Sequence, residues 1–522
     1  MAYTQSPTQD SHKIQRINTR GSPFVVTNDT SNVPVTLQYV ECFPLSEKQW
    51  GDDTRYSIHK REPWINTVRT VTGSVNTSTN ICRSTAFGED YDTIFFAIGD
   101  TYYYYNYNGG TVTSYATNST AFISSFTSAI DNSNARRICA LGFGGILKTC
   151  LEDGSSVTST DLSALSLLGS RGLVFIDGYL FAVNSGGDKI YNSAAGGVLT
   201  TWNATDFLNA EQYSDPVWWI DKHKNYLVAF GSQSIEFFYD AGNEVGSPLT
   251  RQESYSTRIG ITEGAPGKIV ANIEDTLYFI GKSRQNNHSL YKIENFQVSE
   301  IDSQYMQNVF NFLSAADPTF SVHIDSVETV IINNNPMIRC VFYDTAAAYY
   351  SMVYFPKEDI WWQMLTSADG SGTNFPGTQA QIGQCFVADT FEKPLILAKY
   401  PDKNGTAVRF WEADQAHATS CTAYFYTGVE DLGTNRWKHI ARMDAIGDYG
   451  NNVLTLSYNF TPNYDQTYTS AGSVTPSTIG YGSNISWYNL GAYRRGSFKL
   501  SMTGTDNAIH QAFEMEANVG VS

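Results

Sequence analysis

One pattern constrains this chain more than any other. From about residue 92 to about 414, an apolar strand, a tight turn, an aromatic-rich strand and a further turn recur. The clearest copy is DPVWWIDKHKNYLVAFGSQSIEFFYDAGN, Asp215–Asn243, which predicts strands over Val217–Ile220, Tyr226–Phe230 and Ile235–Asp240. Lys222–Lys224 and Gly231-Ser232 are the expected turns, because Gly, Asn, Asp and Ser supply positive φ or local hydrogen bonds cheaply. In the middle strand Tyr226, Val228 and Phe230 alternate with Leu227 and Ala229, so both faces are apolar and something must pack on each. The third strand sets Ile235, Phe237 and Tyr239 against Glu236, Phe238 and Asp240 and is expected to be the wetter, outer one. Such a meander reads as one blade of a β-propeller.

The other copies are Asp92–Tyr115, Arg136–Val157, Gly172–Ala194, Ile269–Ile293 and Thr329–Met364, with Pro394–Asp414 as a seventh candidate. Asp177-Gly178 in the third copy has the composition of a two-residue hairpin turn. A blade cannot bury both faces alone, so the copies must stack and close. The expected fold is all-β: a propeller of six or seven irregular blades over 86–415, preceded by an extended arm and followed by a β-sandwich. A single β-sandwich built from the same strands is the competing architecture.

The arm, residues 1–85, is polar, with β-like pieces at Phe24–Val26 and Val35–Val40, and is expected to add strands to other elements. One helix is predicted after Ser303, where Met306, Val309, Phe310 and Leu313 share a face. Over 416–522 the strands lengthen: Thr422–Tyr426, Lys438–Ile446, Val453–Tyr458 and Gly496–Met502, with a Ser/Thr/Gly/Tyr connector at Thr461–Asn484. These form the expected C-terminal sandwich. Arg494-Arg495 reads as a solvated pair.

The formal charge of −17 comes with no basic stripe; only Lys13, Arg16 and Arg20, and His59-Lys60-Arg61, make small clusters. That argues against a protein that grips nucleic acid, while like charge would keep a duplex mobile inside a conduit. Seven cysteines without CxxC spacing point to buried reduced thiols rather than zinc or a disulfide scaffold. No apolar leader precedes the arm and no run is long enough for a membrane-spanning helix.

Catalytic signatures are missing. Gly142–Thr149 fails the phosphate-loop spacing and reads as a strand pair around a glycine turn, and SADGSGTNF (Ser367–Phe375) only faintly resembles a sialidase Asp-box. No catalytic, cofactor-binding or metal residue is assigned, and Asp153, Glu236 and Asp240 offer carboxylates without a recognisable pairing. The enzymatic alternative is a glycan-binding or glycan-cleaving propeller acting as a receptor-binding tail component.

The run YLVAFGSQSIEFFYDAG, then RIGI (Arg258–Ile261), LYKI with QVSEI, VYFPKEDIWWQM (Val353–Met364) and RRGSFKLSMTG (Arg494–Gly504) occur in an order similar to the packaged-DNA stabilisation proteins of short-tailed bacteriophages. This resemblance implies a non-enzymatic virion tail protein, made and assembled in the bacterial host cytoplasm. It implies a homo-oligomer, a hexameric tail hub or nozzle ring below the portal and adaptor. That ring would carry fibres, spikes or a needle, retain packaged genome, and pass double-stranded DNA without sequence-specific binding. No cofactor is implied. The Tyr-rich stretch Tyr102–Tyr107 would suit either a subunit interface or blade packing.

Overall fold

The computed structural model describes residues 12–17, 38–48, 54–61, 64–71, 86–87, 93–98, 101–106, 111–117, 123–142, 144–167, 171–184, 186–213, 215–243, 245–263, 269–283, 288–301, 307, 310, 324–343, 349–364, 385–386, 395–400, 407–413, 421–428, 430–431, 433–460, 468–476 and 485–519. Nearly all of it is strand. Five strands precede residue 72: β1 (His12–Ile17), β2 (Tyr39–Val40), β3 (Cys42–Lys48), β4 (Thr54–Lys60) and β5 (Trp64–Val71). Five sheets then follow in order. They are β6–β9 (Ala86–Phe87, Thr93–Ile98, Thr101–Asn106, Thr111–Thr117) and β10–β13 (Ile123–Ile130, Arg136–Gly142, Ile146–Leu151, Thr158–Asp161). Next are β14–β17 (Leu173–Ile176, Tyr179–Val183, Lys189–Ala194, Val198–Asn209) and β18–β21 (Val217–His223, Tyr226–Gly231, Ile235–Asp240, Leu249–Arg251). The fifth is β22–β26 (Gly260–Ile261, Val270–Ile273, Thr276–Lys282, His288–Glu294, Gln297–Ile301). Two hairpins, β27–β28 (Ile324–Ile332, Asn335–Tyr343) and β29–β30 (Tyr349–Phe355, Ile360–Met364), lead to β31–β33 (Cys385–Phe386, Leu395–Tyr400, Ala407–Ala413). The chain continues through β34–β40 (Cys421–Tyr426, Lys438–Asp448, Val453–Asn459, Thr469–Val474, Ile485–Tyr493, Ser497–Gly504, Ile509–Val519).

These strands form two compact units, one of Met1–Ile65, Ser351–Asn374 and Ala413–Ser522, the other of Asn66–Tyr350 and Phe375–Glu412. The second unit is a β-propeller of small antiparallel sheets, and its last sheet is completed by β5, which pairs with β33. A strand from the start of the unit thus finishes a sheet built at its end, as ring closure requires. The sixth sequence copy divides: β27–β28 belongs to this unit and β29–β30 to the other.

Period-2 alternation explains how the sheets stack. In β15, Leu180 and Ala182 join a core with Cys139, Leu141 and Leu147 of the preceding sheet, while Phe181 and Val183 join one with Ile220, Leu227 and Ala229 of the next. Every second side chain serves a different neighbour, so each inner strand must be apolar on both faces. The organising stretch obeys this: Leu227 and Ala229 face back, and Phe230 packs forward on Phe279 with ring centroids 5.2 Å apart.

Two expectations for that stretch need correction. The strand begun at Val217 runs on to His223, so the turn is Lys224-Asn225, with Lys224 at φ +53°. His223 continues the alternation and is buried, which carries the strand past the charged residues. Nor is the third strand wet: Ile235–Phe238 is buried, Glu236 included, because a fourth strand, β21, lies outside it. Asp177-Gly178 makes the expected hairpin turn, both residues at positive φ and Ile176 opposite Tyr179. The helix expected after Ser303 lies outside the described residues, except for helical Gln307 and Phe310; Phe310 is buried edge-on against Phe342 at 5.7 Å. Phe24–Val26 also lies outside them.

The first unit is a sandwich. One sheet runs β29-β30-β2-β34-β39-β36-β37, and the other β3-β4-β40-β35-β38 with β1 added to β40. Phe43 of β3 meets Phe355 and Trp362 at 5.6 and 5.7 Å, and Phe425 of β34 meets His510 and Phe513 of β40 at 5.0 and 6.0 Å. The connector expected at Thr461–Asn484 contains β37, a strand whose Ser/Thr/Gly composition hid it.

Candidate functional site

Among the described residues the polar contacts that stand out are those that hold the elements of each unit together. Two sets of contacts do so, one in each unit.

In the first unit the N-terminal strands are locked into the C-terminal ones by buried charge. Lys60 is in phase with Ile58 on β4, so its ammonium enters the core, where Nζ donates to Asn452 Oδ1 at 2.5 Å, Gly504 O at 2.6 Å and Asp506 O at 3.2 Å. Burial pulls its pKa down. Three acceptors match the three donors of an ammonium, so the charge is solvated by the protein itself. Beside it, Arg61 Nε donates to Glu41 Oε2, both side chains being almost fully buried. Burial pulls the guanidinium pKa down and the Glu41 charge pushes it up; the net direction is up. Ser46 donates to Glu358 Oε1 through both N (3.0 Å) and Oγ (2.5 Å), tying β3 to the β29–β30 turn. Lys438 repeats the Lys60 device with the carbonyls of Thr434, Arg436 and Arg494.

In the propeller, turn tips bridge successive sheets. Asn132 N donates to Gly197 O at 3.2 Å, and Asn225 Nδ2 to Asp177 Oδ2 at 3.0 Å. Lys224 Nζ donates to Asn295 Oδ1 at 2.9 Å, and Thr329 Oγ1 to Asn272 O at 2.7 Å. Every neighbouring pair from the second sheet to β27 is thereby linked. Phe296, at φ +65° in a turn that glycine would fill more easily, stacks on Tyr255 at 4.5 Å and meets Tyr226 at 4.6 Å. Its strained backbone is held by ring packing between the fourth and fifth sheets.

The sequence candidates fall as follows. His59-Lys60-Arg61 is a structural lock, since its two cations, Lys60 and Arg61, are buried and partnered; the signal available was the phase of Lys60 with Ile58. Tyr102, Tyr103 and Tyr105 are buried, with Tyr102 against Phe126 and Tyr103 stacked on Phe96, so they pack sheets rather than face a partner. Arg494 and Arg495 are exposed, Arg494 lying over Trp437 at 5.1 Å. The three carboxylates do not converge. Asp153 accepts from Ser155 in an exposed turn, which lowers its pKa, and Asp240 accepts from Gly242 N. Glu236 pairs with Arg251 at 2.7 Å and accepts from Gln212 N at 3.0 Å; burial raises its pKa against those partners. Gly142–Thr149 is the hairpin between β11 and β12, turning at Gly145 with φ +77°. Ser367–Phe375 lies outside the described residues. Five cysteines are free and buried, and among the described residues no group of three or more His, Cys, Asp or Glu could hold a metal.

The second unit is a β-propeller, and in the described residues buried Lys60, Arg61 and Glu236 are partnered within the chain. A family model described as bacteriophage P22 Gp10, beta-propeller, matches residues 64–393, well over half of the chain, and the protein belongs to this family of phage stabilisation propellers. The match opens at Trp64, the first residue of β5. No curated protein matches the chain. Among solved structures, one titled "Crystal Structure of Mitotic Checkpoint Complex" is similar over 70% of this chain and 98% of its own, at 8% identity and a TM-score of 0.39, a likeness too slight to bear on function. Among the described residues no helix is long and apolar enough to cross a membrane.

Proposed function

We propose that this phage structural protein is the tail hub, or nozzle: a homohexameric ring below portal and adaptor that retains packaged DNA and becomes the conduit for its ejection. The family match over residues 64–393 carries the reading. The propeller supports it mechanically, because β5 ties the start of the unit to its last sheet, so the ring opens only if the β5–β33 ladder is broken. The net charge of −17 supports it electrostatically, since an acidic wall repels the duplex and leaves it free to move. In this reading the propeller unit, Asn66–Tyr350 with Phe375–Glu412, forms the wall, while the unit of the N-terminal strands and the C-terminal sandwich makes the subunit contacts. Fibres, spikes or a needle mount on the ring. No catalysis and no cofactor are involved.

The test is the native mass of the purified chain, alone and with candidate portal–adaptor complexes. A six-fold ring formed on the adaptor is the expected result. A chain that ignores the adaptor and releases soluble products from a surface glycan would overturn the proposal.

A further inference from the structure

Two large aromatic side chains stand open on one face of the first unit: Trp437 is 54% and Tyr488 63% exposed. The ladder between β35 and β38 explains why they share that face. Lys438 and Met443 lie opposite Tyr493 and Trp487, and all four are buried. Trp437, His439 and Arg442 on one side, and Tyr488, Ala492 and Arg494 on the other, are out of phase with them and face away from the sandwich core. Each exposed ring lies under a guanidinium, Arg494 over Trp437 at 5.1 Å and Arg442 over Tyr488 at 6.0 Å. The two pairs stand roughly 15 Å apart along the strand.

The charge of this face opposes that of the chain. Arg436, Arg494 and Arg495 are exposed, and among the described residues none of the three has an ion-pair partner, in a chain of net charge −17. Arg442 is paired with Asp444 and stands opposite Glu516. Glu430 and Asp431 act on the neighbouring Tyr493 and Lys438. Three free arginines and Lys438 against those two acids leave the corner positive.

The second unit carries a complement. Antiparallel pairing sends alternate turns of each propeller sheet to the same end, and the bonds from Asn225 to Asp177 and from Lys224 to Asn295 gather those ends from sheet to sheet. Asp153, Asp177, Asp240, Glu274 and Asp275 are exposed at these turns with no ion-pair partner among the described residues, and they outnumber Lys222 and Lys224. Glu274 and Asp275 are adjacent, as Arg494 and Arg495 are.

Copies of net charge −17 repel one another, so a contact between them must set cations of one against anions of the next. A cyclic ring also needs two different, complementary surfaces on every copy. Trp, Tyr and Arg are the residue types that dominate such contacts, and both rings stay exposed in the folded chain.

We infer that the Trp437–Tyr488 face docks on the turn end of the propeller of a neighbouring copy of this chain, with Arg494 and Arg495 against Glu274 and Asp275. The inference rests on the ring reading above.

The experiment follows native mass with the adaptor complex over a dilution series. Arg494→Glu/Arg495→Glu, Glu274→Lys/Asp275→Lys and Trp437→Ala should each raise the concentration needed for the ring roughly tenfold or more. Both charge reversals in one chain restore attraction at every contact, so that chain should assemble within about threefold of the unsubstituted protein. Raised salt should weaken the unsubstituted ring. All five changed residues are exposed, and calorimetry of the unassembled chains checks that each variant folds. Rings that form equally well from either reversed chain overturn the inference and leave the hub reading standing. So does a loss with Arg494→Glu/Arg495→Glu that the combined chain does not recover, which would put a different partner on the face. An unsubstituted chain that forms no ring removes the hub reading and the inference with it.

Discussion

The Arg61–Glu41 pair gives the sharpest test of how the N-terminal strands are held. Its side chains are 3% and 4% exposed, so neither charge has water to fall back on. Arg61→Met would leave the Glu41 carboxylate buried without its cation, and Glu41→Gln would strand the guanidinium. Removing one partner of a buried pair costs about 3–5 kcal/mol, whereas replacing both with neutral groups of similar size is often near-neutral. The double variant Glu41→Gln/Arg61→Met should therefore cost no more than about 1 kcal/mol, a coupling energy of about 5 kcal/mol or more. In a unit of roughly two hundred residues each kcal/mol moves the transition by about 2–4 °C, so each single variant should lower it by about 8–15 °C. Calorimetry on all four proteins reads both the shifts and the coupling. Single variants costing under about 1 kcal/mol, or a double variant costing the sum of the two, would refute the account of this pair as a mutually dependent lock.

Acid should weaken the protein before its carboxylates titrate. Burial holds His510 down to about 3, and burial with the nearby Lys282 charge holds His288 down to about 4. Between these values and about 6.5 the unfolded chain binds protons that the fold refuses, so stability falls with falling pH, by on the order of 3 kcal/mol for His288 alone. Denaturant midpoints across pH 7 to 4 check the slope, and His510→Phe should flatten it. Gly172→Ala should cost about 2–5 kcal/mol, because Gly172 sits at φ +86° and a Cβ would lie 2.3 Å from Ile220 O of the next sheet. A loss under about 1 kcal/mol in the same titration would contradict that contact. Burial raises the pKa of Cys42, Cys139, Cys150, Cys340 and Cys421, that of Cys150 to about 12, so a thiol reagent should label these five only as the chain unfolds. Labelling at the unfolded-chain rate under native conditions would count against their burial.

Sequence was most informative where one physical rule acts alone. The doubly apolar strand Tyr226–Gly231 and the Asp177-Gly178 turn are local consequences of pleat and φ preference, and both stand where expected. It was least informative where a residue's role depends on a distant partner. Nothing beside Glu236 announces Arg251 as its counter-ion, so a buried charge looked like a solvent-facing one. The places of the two-residue β2 and the eight-residue β5 were not legible locally, because both are fixed by edges supplied hundreds of residues later. The cluster at His59–Arg61 misled for the same reason: its cations are neutralised by Glu41 and by carbonyls near residue 505.

The closure of the last sheet by β5 also sets a timetable. Translation delivers Trp64–Val71 early, but its partner β33 (Ala407–Ala413) emerges more than three hundred residues later. Until then the nascent chain carries an unpaired strand at one end and successive sheets with one bare face at the other. Contacts of such sequence separation form slowly, and the waiting chain is exposed to wrong pairing. A ribosome that stops short releases a product that cannot close. The same joint that would hold the ring shut in the finished particle thus acts as a check on synthesis, admitting to closure only chains read through at least to Ala413.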